Sequence, residues 1–283
     1  MTVVIPTSLT DALNALATLP QAHLIGGGTD LMVEVNFNRR QLTDVIALRK
    51  VEELSHWSVS PDGLSLTIGA GLPFAAMEQG TIAELIPALS QAARTVGSPQ
   101  IRAVGTLGGN LGTCSPAGDG LPVLSALDAV IHLRSSGEKR DVKVHDFMIG
   151  VKRTTRNPQE LITGVTVPVL AGWQGYSKVG VRNAMVIAIA SACLVVDTTG
   201  STIRLALGAV GPTVIRCRET EAWIASCHDI SSVTPVSATL AKEFGDRAAT
   251  EARPIDDHRS TALYRRHAIA VLANRLLQQA YPT

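Results

Sequence analysis

Glycine is distributed very unevenly along this chain. Gly26-Gly27-Gly28 stand together directly after His23-Leu24-Ile25, and Gly105, Gly108, Gly109, Gly112, Gly118 and Gly120 all fall between Ile101 and Leu121. Glycine at that density does not suit the interior of a helix or strand, where each one costs roughly 0.5–1 kcal/mol relative to alanine. Both clusters read as glycine-rich turns, either ordinary ones or loops whose backbone comes close to a ligand. Loop N–H groups can hold phosphate oxygens without any cationic side chain. Two such loops could clamp the two phosphates of a dinucleotide from opposite sides.

The familiar phosphate motifs do not fit. Gly26-Gly27-Gly28 is not GxGxxG, and the next strand runs into Arg49-Lys50 where an acidic ribose ligand would stand. No GxxxxGK[ST] occurs. Clamping phosphate in this chain calls for another architecture.

The surrounding pattern supplies it. Ser8 or Thr10 can cap a helix with Leu13, Leu16 and Leu19 on its apolar face, ended by Pro20. His23–Ile25 is a short strand, Thr29 or Asp30 caps a short helix through Val35, and a second strand covers Asp44 to Leu48, which together make a small βαβ-like unit. Past Leu54, Leu64 to Ile68 alternates with period two after the turn Pro61-Asp62-Gly63. Ile82 to Val96 reads as a helix broken near Pro87, Pro122 to Asp128 as a helix, and Ala129 to Arg134 and Leu161 to Val169 as strands. Ala171 to Gly175 suits a boundary. Beyond it, Met185 to Val196 and Ile203 to Val210 read as strands, and the last helix carries Ile269, Leu272, Leu276 and Ala280 on one face.

Composition narrows the partners. The formal net charge is +1 and aromatic residues are 4%, which speaks against a nucleic-acid surface. Charged residues are 17% against a usual value of about 25%, which points to surface covered by partners. The longest apolar run, Ala184 to Val196, is shorter than the ~20 residues of a membrane span. No secretory signal is visible, and the four cysteines form no CxxC pair. The expectation is a reduced cytoplasmic protein with no metal centre in this chain and no membrane or nucleic-acid partner.

Several stretches jointly resemble the flavin subunits of molybdenum hydroxylases. Leu24-Ile25-Gly26-Gly27-Gly28-Thr29-Asp30-Leu31 is similar to that family's AGGTDL motif, and Gln100 to Asn110 to its QIRNVATIGGN motif. Ser115 and Asp119 match its S-x-x-x-D, and Glu160-Leu161-Ile162 with Pro168 its EIL…I.IP segment. Tyr176-Ser177-Lys178 with Arg182, and Leu205 to Pro212, match motifs of its C-terminal domain. Gly26 and Gly105 stand where that family usually has alanine. The motifs occur in order over nearly the whole chain.

The resemblance implies an α+β fold. A two-part α/β FAD-binding domain (PCMH-type) would cover residues 1–170, with parts at about 1–55 and 56–170. A small C-terminal domain of antiparallel strands and helices would cover 171–283. It further implies FAD contacts by Leu24, Ile25, Gly26, Gly27, Gly28, Thr29, Asp30 and Leu31. On the second loop the contacts would come from Thr106, Gly108, Gly109 and Asn110. Thr113, Ser115 and Asp119 would stand on the ribose–adenine side, and Ile162 and Lys178 near the adenine or flavin ring. The implied activity is electron transfer in a xanthine dehydrogenase-type or carbon monoxide dehydrogenase-type enzyme. Electrons would come from a large molybdopterin subunit through [2Fe-2S] clusters of a small iron–sulfur subunit. FAD here would receive them and NAD+ would be the acceptor, in a doubled heterotrimer. A stand-alone flavin reductase and a flavin-binding scaffold are the competing readings.

Other residues offer less. His23 either lines the flavin or sits in its strand, His132 and His145 lack close Cys or Glu partners, and Asp128 suits a helix flank. Lys152-Arg153-Thr154-Thr155-Arg156 either meets phosphates or an acidic partner, or is a solvated loop. Cys114 reads as a small filler, and Arg216, Arg218 and Glu219 as structural.

Overall fold

A computed structural model of the chain describes residues 1–282. Its first part comprises β1 (Val3–Val4), α1 (Leu9–Thr18), β2 (His23–Ile25), α2 (Leu31–Asn36) and β3 (Val45–Ala47). The three strands are parallel in the order β1-β3-β2. Ser8, rather than Thr10, caps α1, its hydroxyl accepting from the Asp11 N–H at 3.1 Å. Ala12 and Leu16 then pack on Ile46, Val51 and Leu54. The first glycine loop leaves the carboxyl end of β2, the edge where open α/β sheets bind ligands.

The second part contains β4 (Trp57–Val59), β5 (Ser65–Gly69), α3 (Gly80–Leu85), α4 (Pro87–Thr95), α5 (Pro99–Val104), α6 (Leu107–Thr113) and α7 (Gly120–Ala126). It continues with β6 (Val130–Arg134), β7 (Lys139–Lys143), α8 (Val144–Phe147), β8 (Met148–Gly150), β9 (Arg153–Thr154) and β10 (Leu161–Pro168). An antiparallel sheet runs β4-β5-β10-β6-β7. Its period-two pattern buries Leu66, Ile68, Ile131, Leu133, Val165 and Val167 against Leu89, Leu107, Leu111 and Leu124 of the helices. Pro87 does split the helical stretch. It stands at the start of α4, where its missing N–H deprives the helix of nothing.

The third part is an antiparallel sheet of β11 (Gly172–Val179), β12 (Ala190–Asp197), β13 (Thr202–Gly208) and β14 (Ile215–Arg216), followed by α9 (Arg218–Cys227), α10 (Ala238–Glu251) and α11 (Ala262–Ala280). Ile269, Leu272 and Leu276 of α11 pack with Leu194, Leu205 and Phe244 on one face of this sheet. The other face sends Tyr176, Cys193, Val195 and Ala206 into the core of the second part. Strand β12 is therefore buried along its whole length.

One strand expectation fails. The stretch expected to begin at Met185 is a loop as far as Ile189, with Met185 and Ile187 exposed and Met185 at φ 52°. Side chains take the carbonyls that a ladder would have used: Lys178 donates to Val186 O, and Arg182 to the oxygens of Ala184 and Met185. Among the described residues, no helix is long and apolar enough to cross a membrane.

Candidate dinucleotide site

The two glycine clusters meet backbone to backbone. A Cβ on Gly27 would lie 1.8 Å from Val104 O, and one on Gly26 would lie 3.1 Å from Thr106 Oγ1. A Cβ on Gly108 would come within 2.6 Å of Ala70 O. In the first loop only Gly28 needs the left-handed region, at φ +71°. Gly27 and Gly109 have no positive φ, so close approach explains Gly27 and not backbone conformation.

The N–H groups of the two loops differ sharply. Among the described residues, no protein oxygen accepts from the N–H of Gly26, Gly27, Gly28, Thr29 or Asp30. In the second loop the amides are already engaged. Gly108 N–H donates to Ala70 O at 2.9 Å, Asn110 N–H to Thr106 O at 3.0 Å, and Gly109 N–H to Thr106 Oγ1 at 3.0 Å. The second cluster, expected to be a loop, is the first turns of α6, so the symmetrical clamp suggested by the sequence is one loop of free donors backed by a helix start whose amides are bonded within the protein.

The remaining expected site residues form two groups. Leu24 lies in β2 and Leu31 opens α2, both half-buried, beside the free amides. Thr113 Oγ1 donates to Asp30 Oδ2 at 3.4 Å, joining the end of α6 to the first loop. Ile162 is buried in β10, its Cδ1 3.8 Å from where Gly112 would carry a Cβ. Ser115 Oγ accepts from the Ala117 N–H within its own turn. The side chain of Asn110 turns toward Gly118 and Gly120, and its Oδ1 is buried without a partner.

Asp119 and Lys178 form a buried pair of their own. Asp119 Oδ2 accepts from Lys178 Nζ at 2.8 Å and Oδ1 from Tyr176 Oη at 2.7 Å. Lys178 also donates to Thr95 O and Val186 O, so its three hydrogens each have an acceptor. Burial pushes the Asp119 carboxyl above its ordinary value, against the pull of Lys178 and Tyr176. Burial and that carboxylate together push the Tyr176 hydroxyl well up. The pair bolts β11 to the turn before α7.

Asp128 does more than flank a helix. It adopts φ 50° and gathers Arg216 at 2.6 Å, His145 at 2.9 Å and Arg204 at 3.3 Å. Burial acts to raise its pKa, but His145 and the arginines hold the carboxyl well below the usual range. Nothing local in the sequence signals this hub or the Asp119–Tyr176–Lys178 group, because their partners are far apart in the chain. Two open clefts of about 420 and 360 Å³ lie elsewhere. One is lined by Thr7, Arg49, Lys50 and His56, the other by Trp57, Thr67, His132 and Arg134. Neither includes the free amides.

Known proteins match along the whole chain. Residues 1–170 match the FAD binding domain in molybdopterin dehydrogenase, and residues 176–280 the CO dehydrogenase flavoprotein C-terminal domain. The glyceraldehyde dehydrogenase medium chain of Sulfolobus acidocaldarius is 30% identical over 96% of this chain and 95% of its own. The xanthine dehydrogenase FAD-binding subunit of Escherichia coli is 26% identical over 96% and 93%. A chain of the carbon monoxide dehydrogenase of Hydrogenophaga pseudoflava superposes with a TM-score of 0.90 at 25% identity, over 99% of this chain and 97% of that one.

Proposed function

Because this chain belongs to the family of FAD-binding flavoproteins of molybdopterin dehydrogenases, we propose that its first glycine loop holds the FAD pyrophosphate and that it serves as the electron-transfer subunit of a molybdenum hydroxylase. The observation that carries this reading is the run of N–H groups from Gly26 to Asp30 without a protein acceptor. A pyrophosphate can accept from several such donors at once without a cluster of arginines. The cradle suits the same group, since Gly26 and Gly27 keep the contact between the loops free of side chains.

Each other residue then has a part. Thr106, Gly108, Gly109 and Asn110 form the wall behind the first loop, with the Gly108–Asn110 amides fixing that wall rather than facing the phosphates. Thr113 and Ser115 stand on the ribose–adenine side, and Ile162 offers an apolar surface to a ring. Asp119 and Lys178, joined with Tyr176, hold β11 against the turn before α7.

Bound FAD supplies the redox chemistry that links one-electron carriers with a two-electron acceptor. The chain's own task is to bind and orient it, and no general acid or base is needed for that. We assign the electron source to [2Fe-2S] clusters on a small iron–sulfur subunit and substrate oxidation to a large molybdopterin subunit, in a doubled cytoplasmic heterotrimer. The name "medium chain" carried by the Sulfolobus relative supports a multi-subunit setting. That relatives are named for glyceraldehyde and for xanthine supports assigning the choice of substrate to another subunit. The xanthine dehydrogenase type, with NAD+ as acceptor, is the form to test.

Purification of the native protein tests the reading. One acid-releasable FAD per chain is expected, with iron and molybdenum on co-purifying chains and xanthine-dependent NAD+ reduction by the complex. A monodisperse monomer that oxidises a substrate alone would overturn the assignment.

A further inference from the structure

One cation stands beside the carboxylate of the last residue in the run of free amides. Lys152 stands at the tip of the β8–β9 hairpin with φ 53°, a region side-chain-bearing residues seldom enter. Such an outlier persists only where its surroundings fix it, and here they do. The Lys152 N–H donates to the carbonyl of Cys114, just past the end of α6. Its Nζ donates to Glu34 Oε1 at 2.6 Å and lies 3.6 Å from Asp30 Oδ2. Lys152 thus reaches from the helix behind the second loop to the residue that ends the run of free amides in the first.

The local charges show why that position matters. Asp30 contributes both the last free N–H and a carboxylate, and that carboxylate works against any anion held by the loop. Glu34 adds a second negative charge, already shared with Arg40 at 2.7 Å. A neighbouring ammonium offsets Asp30. Lys152 also differs from Arg156 and Lys178. Arg156 is folded onto the carbonyls of Asn157, Pro158 and Glu160, and Lys178 has all three hydrogens engaged. Lys152 makes one short bond and is 44% exposed, which leaves a hydrogen for an anion.

We propose that Lys152 is the positioning cation of the dinucleotide site, screening the Asp30 carboxylate so that the Gly26–Asp30 amides can take a pyrophosphate. The proposal rests on the reading that those amides hold FAD. Of the readings left open for the basic run Lys152–Arg156 (phosphates, an acidic partner or a solvated loop), this takes Lys152 to the phosphate side.

The test uses the full chain, freed of flavin and titrated with FAD. Lys152→Met is expected to weaken FAD binding on the order of tenfold, the effect of one charge-assisted contact. The loss should be greatest at low salt and shrink as salt screens Asp30. Asp30→Asn added to Lys152→Met should recover most of the affinity, because it removes the charge the lysine screens. A lysine acting only as a strap between α2 and the hairpin would give no such recovery. Unchanged FAD affinity in Lys152→Met, or further loss in the double variant, would overturn the proposal. If FAD binds the unaltered chain without protecting the Gly26–Asp30 amides from exchange, the underlying reading fails instead.

Discussion

At the scale of single residues, two glycines that look equivalent in sequence have different duties. A Cβ on Gly27 would run into Val104 O at 1.8 Å, whereas one on Gly109 would meet only Thr106 Oγ1 at 3.1 Å. Gly27→Val should therefore force the loops apart and misalign the free amides. Losing two bonds to a charged group, at about 1.5–3 kcal/mol each, weakens binding by roughly two to four orders of magnitude. Gly109→Ala needs only a slight shift of one hydroxyl, so less than about tenfold loss is expected. Fluorescence titration with FAD distinguishes the two. Equal losses would mean that both loops serve the ligand alike. The sequence made both clusters visible but not this difference, because a glycine kept for close approach and a glycine kept in a helix turn are written with the same letter.

At the scale of elements, the parts set by local pattern were legible and the parts set by distant partners were not. Alternation along β5, the break at Pro87 and the cap at Ser8 each depend on near neighbours. The loop at Met185–Ile189 depends on Lys178 and Arg182 capturing carbonyls, and apolar composition alone carried the expected strand through it. Asp128 is the clearest case, since it ties the end of α7 to Arg204 of β13 and Arg216 of β14. Its folded pKa is depressed, so its contribution is complete above the ordinary carboxylate value near 4 and fades as pH falls toward the folded value. Asp128→Asn should cost about 2 kcal/mol at pH 7, the scale of a charged hydrogen bond partly open to water. That penalty should be smaller at pH 2 than at pH 7. Urea midpoints of both proteins at the two pH values give the comparison, and a penalty that grows in acid would contradict the assignment.

At the scale of the whole molecule, the second and third parts share a core. Cys193, Val195 and Ala206 from the C-terminal sheet are buried with Leu66, Leu89 and Leu124, and the Asp119–Lys178 pair crosses the same junction. The two parts should unfold in one calorimetric transition, and two well-separated transitions would show that the shared core contributes little. The free amides lie away from this junction, at the meeting of the first and second parts, so ligand binding should act mainly there. Hydrogen exchange of the flavin-free full chain with and without FAD tests that most directly. Protection is expected across residues 26–30, with little change across 108–110, whose N–H groups are bonded in either state. Unchanged exchange at 26–30 while FAD is bound, or protection confined to 108–110, would contradict the assignment of the pyrophosphate to the first loop.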